Sequence, residues 1–78
     1  MFRMEIRSAE ERDAEARARR AERMRHKRDQ LLAGCDWTQM EDAPVDRAAW
    51  ARYRQKLRDV TAHPQWPDMS WPHPPGKP

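Results

Sequence analysis

The sequence predicts an all-α protein: a two-helix antiparallel hairpin, with a short N-terminal strand-like segment and an extended C-terminal tail rich in Pro and Trp. Three observations lead to this prediction. Residues 9–33 contain neither Gly nor Pro, residues 47–62 carry apolar side chains at helical spacing, and six of the seven prolines follow residue 62. The chain therefore divides into a segment 1–7, a hairpin 8–62 and a tail 63–78.

The N-terminal segment alternates apolar and charged residues, a period typical of a strand. Phe2, Met4 and Ile6 would lie on one side of it. A single strand cannot satisfy its own backbone hydrogen-bonding groups, so it would either pair with the edge of a partner's sheet or remain frayed. These three side chains are therefore candidate partner-binding residues.

The first helix has a start signal and a stop signal. Ser8 and Glu11 have the spacing of a capping box, and Gly34 is a favourable residue for ending the helix. The apolar stripe between them is thin. Only its last part, with Leu31 and Leu32, predicts a packing face.

The second helix has a clearer apolar seam. Asp46 is a good N-cap, and Pro64 is expected to end the helix near Ala62. The seam follows at steps of three, four and three residues and consists of Trp50, Tyr53, Leu57 and Val60. This spacing places all of them on one face of a helix.

The connector between the helices, residues 34–45, contains Trp37 and the only cysteine of the chain. A large ring at this position would close the open end of a hairpin, so we expect Trp37 to pack against Leu32 and Trp50. The predicted core is Leu31, Leu32, Trp37, Trp50, Tyr53, Leu57 and Val60.

The tail repeats a Trp-Pro pair, at residues 66–67 and 71–72. Two exposed pairs of this kind would form a conspicuous apolar patch. They should either fold back onto the hairpin or bind a partner, and the sequence leaves both alternatives open. Trp66, Trp71 and Pro72 are accordingly further candidate partner-binding residues.

Catalytic and metal-binding chemistry finds little support in the sequence. The single cysteine excludes an intrachain disulfide, and the two glycines form no phosphate-binding loop. The candidate soft metal ligands are His26, Cys35, His63 and His73. No two of them have the spacing of a zinc-ligand pair. We expect a non-enzymatic protein without cofactor, metal or small-molecule substrate.

The composition favours a soluble intracellular protein. Of the 78 residues, 37% are charged and 37% hydrophobic, and the start of the chain has no signal-peptide core. No run approaches the ~20 apolar residues that would span a bilayer. So small a chain needs concentrated apolar contacts or a partner.

A basic stretch raises nucleic-acid binding as an alternative. Residues 16–28 carry seven Arg or Lys side chains against Glu22 alone. Such a density can neutralise phosphates. These residues wrap around the helix rather than forming one stripe, and no recognition-helix architecture is evident. Nucleic-acid binding is therefore the weaker alternative.

Several motifs occur together in an order that is specific in combination. They are Arg28-Asp29-x-Leu31-Leu32, Asp36-Trp37-Thr38, Asp42, Trp50-Ala51-x-Tyr53-Arg54-x-x-Leu57-Arg58-Asp59 and Trp71-Pro72-x-Pro74. Through them, residues 17–75 resemble the C-terminal region of phage tail assembly chaperones, also called tail fibre assembly proteins.

The resemblance implies a small non-enzymatic helper that acts in the host cell cytoplasm during assembly. It would bind a tail fibre or receptor-binding protein and assist folding, oligomerisation or attachment. Some members of the family stay bound to the fibre, so a permanent structural role in the virion, as a fibre cap or connector, is an alternative. The sequence leaves the client and any homo-oligomeric state open.

Overall fold

A computed structural model describes residues 8–76. Helix α1 spans Ala9–Gly34 and helix α2 spans Arg47–Arg58, with short 3₁₀ helices at Asp36–Gln39 and Asp59–Ala62. Within this part of the chain there are two α-helices and no strands, as expected for an all-α hairpin. The predicted strand over 1–7, with Phe2, Met4 and Ile6, lies outside the described residues.

Helix α1 begins and ends where its local signals predict. The Ser8 side-chain oxygen accepts a hydrogen bond from the Glu11 backbone N–H at 3.1 Å, which satisfies one of the free donors of the first turn. At the other end, the Cys35 backbone N–H donates to the Leu32 carbonyl at 3.2 Å. The helix includes Gly34, one residue beyond the predicted end.

Helix α2 is capped by Asp46, whose Oδ1 accepts from the Ala49 backbone N–H at 3.0 Å. The α-helix ends at Arg58, not near Ala62 as predicted, and the next four residues tighten into a 3₁₀ helix. Pro64 explains why the 3₁₀ helix stops at Ala62, because a proline disfavours helical geometry in the residue before it. His63 is accordingly extended, with ψ 136°.

The core forms where α2 lies against the C-terminal part of α1. Cys35, Tyr53 and Leu57 form a buried cluster, and the Leu57 side chain is fully buried. Val60 is also buried. Partly buried apolar side chains pack against the cluster; they are Leu31, Leu32, Trp50 and Trp71.

The structure places Trp37 outside this core, in contrast to the sequence prediction. Trp37 is 47% exposed, and its ring centroid lies 6.5 Å from that of Trp50 at a tilted angle. The tail contributes a ring to the core, because Trp71 returns to pack against the core cluster. The connector contributes the smaller Cys35 and Thr38 to the buried region instead.

The tail folds back onto the hairpin. Pro67 and Met69 are buried, whereas Trp66, Trp71 and Pro72 are half-buried. Of the two alternatives left open by the sequence, the structure of the chain on its own shows the folded-back arrangement.

Candidate functional site

Arg54 joins the two helices at the connector end of the hairpin. It lies on α2, is 8% exposed, and its Nη1 donates to the Leu32 carbonyl at 2.8 Å. The same nitrogen lies 3.2 Å from the Cys35 Sγ, and Nη2 pairs with Asp36 Oδ1 at 2.7 Å. One guanidinium therefore donates a hydrogen bond to a carbonyl at the end of α1 and forms an ion pair with Asp36 at the start of the connector.

Two pKa values are displaced near this junction. Burial works to lower the pKa of Arg54, but its hydrogen bonds to Cys35 and Asp36 outweigh burial, so the pKa is raised. The pKa of the Tyr53 hydroxyl is also raised, first by burial and then by electrostatic interaction with Cys35. Arg54 therefore stays charged and Tyr53 neutral at physiological pH.

The connector itself is held by hydrogen bonds. Thr38 is fully buried, and its hydroxyl donates to the Cys35 carbonyl at 2.6 Å. The Gln39 side-chain amide donates to the Arg47 carbonyl at 3.2 Å, across to the first residue of α2. The connector is thus an ordered structure and not a loose loop.

This ordered connector presents apolar side chains to solvent. Trp37 is 47% and Met40 59% exposed. The chain then turns, with the Ala43 N–H donating to the Met40 carbonyl at 3.1 Å, and the turn carries the exposed acids Glu41 and Asp42. We call the surface formed by these four side chains, Trp37, Met40, Glu41 and Asp42, the connector face.

A second group of contacts attaches the tail to α1. An Arg17 side-chain N–H donates to the Trp66 carbonyl, and Arg20 Nε pairs with Asp68 Oδ1 at 3.0 Å. Arg25 lies 5.7 Å from the centroid of the Trp66 ring. Lys27 Nζ lies 5.6 Å from the centroid of the Trp71 ring, which is a second cation–π contact. We call these four contacts the tail clasp.

The tail clasp changes the interpretation of the basic stretch. Arg17, Arg20, Arg25 and Lys27 all contact the chain's own tail, and Arg28 pairs with the adjacent Asp29. A phosphate backbone would therefore have to compete with these contacts.

The structure brings together some of the predicted partner-binding residues. Trp66 and Trp71 each lie against a cation of α1, and Pro72 borders a groove of about 420 Å³ between the tail and the end of α2. The sequence does not predict the connector face. It predicts that Trp37 belongs to the core, and it marks Met40 neither as a core residue nor as a partner-binding residue.

Arg54 was missed as a buried residue, although the sequence contains a signal for it. It occupies the fourth position after Trp50, and Trp50, Tyr53, Arg54 and Leu57 together have the spacing of one helical face. A charged residue within an apolar face indicates a buried partner for that charge.

Neither a group of metal ligands nor a membrane-spanning helix is found in the part of the chain that the structure describes. Over residues 8–76, no three His, Cys, Asp or Glu side chains are grouped so that they could hold a metal ion. None of the described helices combines the length and apolar character that crossing a membrane requires.

Comparison with known proteins gives a family match. The family model described as phage tail assembly chaperone protein matches residues 21–76. The matched region begins in the middle of α1 and includes the connector, α2 and the folded-back tail. No curated protein and no solved structure matches the chain.

Proposed function

The chain belongs to the phage tail assembly chaperone family and so has a role in phage tail assembly; from this premise we propose that it binds a tail fibre or receptor-binding protein. In this role it assists folding, oligomerisation or attachment without catalysing a reaction. A chaperone that binds only the unassembled client lowers the free concentration of the aggregation-prone state.

The observation that carries the proposal is the nature of the tail clasp. Its ion pair between Arg20 and Asp68 is solvent-exposed, with side chains 42% and 55% exposed. Exposed pairs of this kind contribute only ~0.2–1 kcal/mol, and exposed cation–π contacts about 0.5–1 kcal/mol. The Trp66 end of the tail is thus held by contacts that a client could replace.

Trp66, Trp71 and Pro72 therefore remain our proposed client-binding residues of the tail. In the free chain their apolar surface is half-covered, which protects two tryptophans from self-association. On meeting the client, Trp66 exchanges Arg25 for a pocket on the client, since tryptophan side chains are frequent anchors of interfaces. Phe2, Met4 and Ile6 are proposed to add a strand to the client's sheet edge.

Co-expression with the tail fibre protein of the same phage tests this proposal. We expect more soluble fibre with the wild-type chain than with an empty vector. Trp66→Ala/Trp71→Ala should lose most of the gain, because it removes both anchors. Arg25→Ala/Lys27→Ala is the matched variant. It removes the cations that contact the two tryptophan rings but leaves both tryptophans in the chain, and it should retain the gain in fibre solubility.

Circular dichroism of each variant controls for loss of the fold. Equal fibre solubility with wild type, variants and empty vector would reject the chaperone role. Mass spectrometry of purified particles separates a transient chaperone, which should be absent, from a permanent fibre cap or connector, which should be present in stoichiometric amount.

A further inference from the structure

The connector face carries two large apolar side chains that the rest of residues 8–76 leaves about half exposed. Trp37 and Met40 are the two large apolar side chains that stay exposed in the described chain. The other three tryptophans are half-buried. An exposed Trp and an exposed Met three residues apart have the composition of a contact surface, because Trp and Met are enriched at interfaces.

Hydrogen bonds order the backbone that carries these two side chains. The Thr38 N–H donates to the Cys35 carbonyl at 3.1 Å, and the Met40 N–H donates to the Trp37 carbonyl at 3.2 Å. Arg54 holds Asp36, the residue before Trp37, through an ion pair of 2.7 Å. A partner would therefore bind a surface that is already ordered, which reduces the entropy lost on binding.

The charge around this surface indicates what the partner carries. Residues 35–46 contain four acids and no Lys, Arg or His. Asp36 is paired with Arg54, and Asp46 caps α2. Among residues 8–76, Glu41 and Asp42 take part in no hydrogen bond or ion pair and lie exposed beside Met40. They are available to a cationic partner.

We propose that the connector face binds a segment of the client in which apolar side chains alternate or mix with Lys or Arg. Trp37 and Met40 contact its apolar side chains, and Glu41 and Asp42 pair with its cations. Such complementarity selects the partner and speeds its association. The inference rests on the proposed function only in taking this segment to belong to the client.

A second copy of the chain is the less suitable occupant. The basic part of α1 has the required charge, but Arg17, Arg20, Arg25 and Lys27 already contact the tail of their own chain. Replacing those contacts, weak as they are, would lower the affinity of a second copy for the connector face, whereas a separate client segment would bind there without displacing any of them.

Three synthetic peptides of equal length test the proposal, one alternating Leu with Lys, one Leu with Glu and one Ser with Lys. Each is titrated into the ¹⁵N-labelled full chain and followed by NMR. The Leu/Lys peptide should shift the amides of 36–46 and the indole N–H of Trp37. The Leu/Glu peptide lacks cations and the Ser/Lys peptide lacks apolar side chains, so neither should shift these signals.

Two matched variants make the test specific. Glu41→Lys/Asp42→Lys should weaken binding of the Leu/Lys peptide about tenfold, since it replaces attraction by repulsion. Asp13→Lys/Glu22→Lys makes the same change in net charge at exposed positions of α1 and should leave the affinity within about twofold. Met40→Ser should weaken binding several-fold and leave the melting temperature unchanged.

Three results would overturn the proposal: equal affinity of the charge-reversal variant and wild type, equal binding of the Leu/Glu peptide, or shifts centred on residues 17–28. Shifts of 36–46 that grow with chain concentration in the absence of peptide would assign the face to a second copy. Because no fibre is used, failure here leaves the co-expression test of the proposed function standing.

Discussion

Arg54 Nη1 lies 2.8 Å from the carbonyl oxygen of Leu32, so that α2 caps the end of α1 with a side chain that is almost completely buried. The relationship matters because the last carbonyls of a helix lack partners within it. The fit of the two helices and the position of the connector thus depend on the same guanidinium.

Replacing Arg54 by Ala should lower the free energy of unfolding by about 2 kcal/mol, because the part-buried charged hydrogen bond to the Leu32 carbonyl is lost. Lys should restore little of this, since one ammonium cannot serve Leu32 and Asp36 in the fork geometry of arginine. Urea denaturation followed by circular dichroism measures the difference. Asp36→Asn is the control and should cost less than about 1 kcal/mol, because Asp36 is exposed.

Leu57 is the fully buried apolar side chain of α2. Leu57→Ala should lower the free energy of unfolding by about 2–5 kcal/mol, since it removes buried methyl groups and leaves a cavity. In so small a domain, thermal unfolding should shift far enough to leave a partly unfolded population at room temperature. Ala51→Ser, at an exposed position of the same helix, should scarcely change the melting curve.

The local signals of the sequence predict the helix starts well. Ser8 and Asp46 both act as N-caps, each accepting from the backbone N–H three residues later. Capping depends on neighbouring residues alone, and so a single sequence contains the necessary information. The end of α2 is predicted less well than its start, because the turn before Pro64 tightens into a 3₁₀ helix.

The position of Trp37 could not be predicted in the same way. Which tryptophan packs against the core depends on whether the tail returns, and that is decided by contacts between residues more than forty positions apart, such as Arg20 with Asp68. Met69, buried through the same return, likewise carries no periodic signal in the sequence. Non-local packing of this kind separates the predicted core from the observed one.

The tail clasp should loosen when its cations are removed. Arg25→Ala/Lys27→Ala should speed proteolytic cleavage within 63–71, because each ring loses an exposed cation–π contact worth about 0.5–1 kcal/mol. Global stability should change little. Added salt should speed cleavage of the wild type by screening the Arg20–Asp68 pair. Unchanged cleavage in both experiments would show that the clasp does not hold the tail.

Stability should fall at high pH through Tyr53. Its folded pKa is raised above the ordinary value of 10.0, so above that pH the unfolded chain loses the phenolic proton while the folded chain keeps it. The unfolded state then binds fewer protons, and the free energy of unfolding decreases as pH rises through the folded pKa. Below pH 10 the contribution is fully present.

Urea midpoints measured from neutral pH to above the ordinary tyrosine pKa of about 10 test this. Tyr53→Phe should show a shallower decline at the alkaline end, because the titrating group is gone. Parallel profiles of the two proteins would contradict the assignment to Tyr53.

Hydrogen–deuterium exchange of the chain, alone and with the tail fibre protein of the same phage, tests the central claim of client binding most directly. Binding at the connector face predicts slower exchange of the amides of 36–46 in the presence of the fibre, and no such change for Glu41→Lys/Asp42→Lys. Release of Trp66 from α1 predicts altered exchange in the tail. Identical exchange of the chain with and without the fibre would contradict the claim.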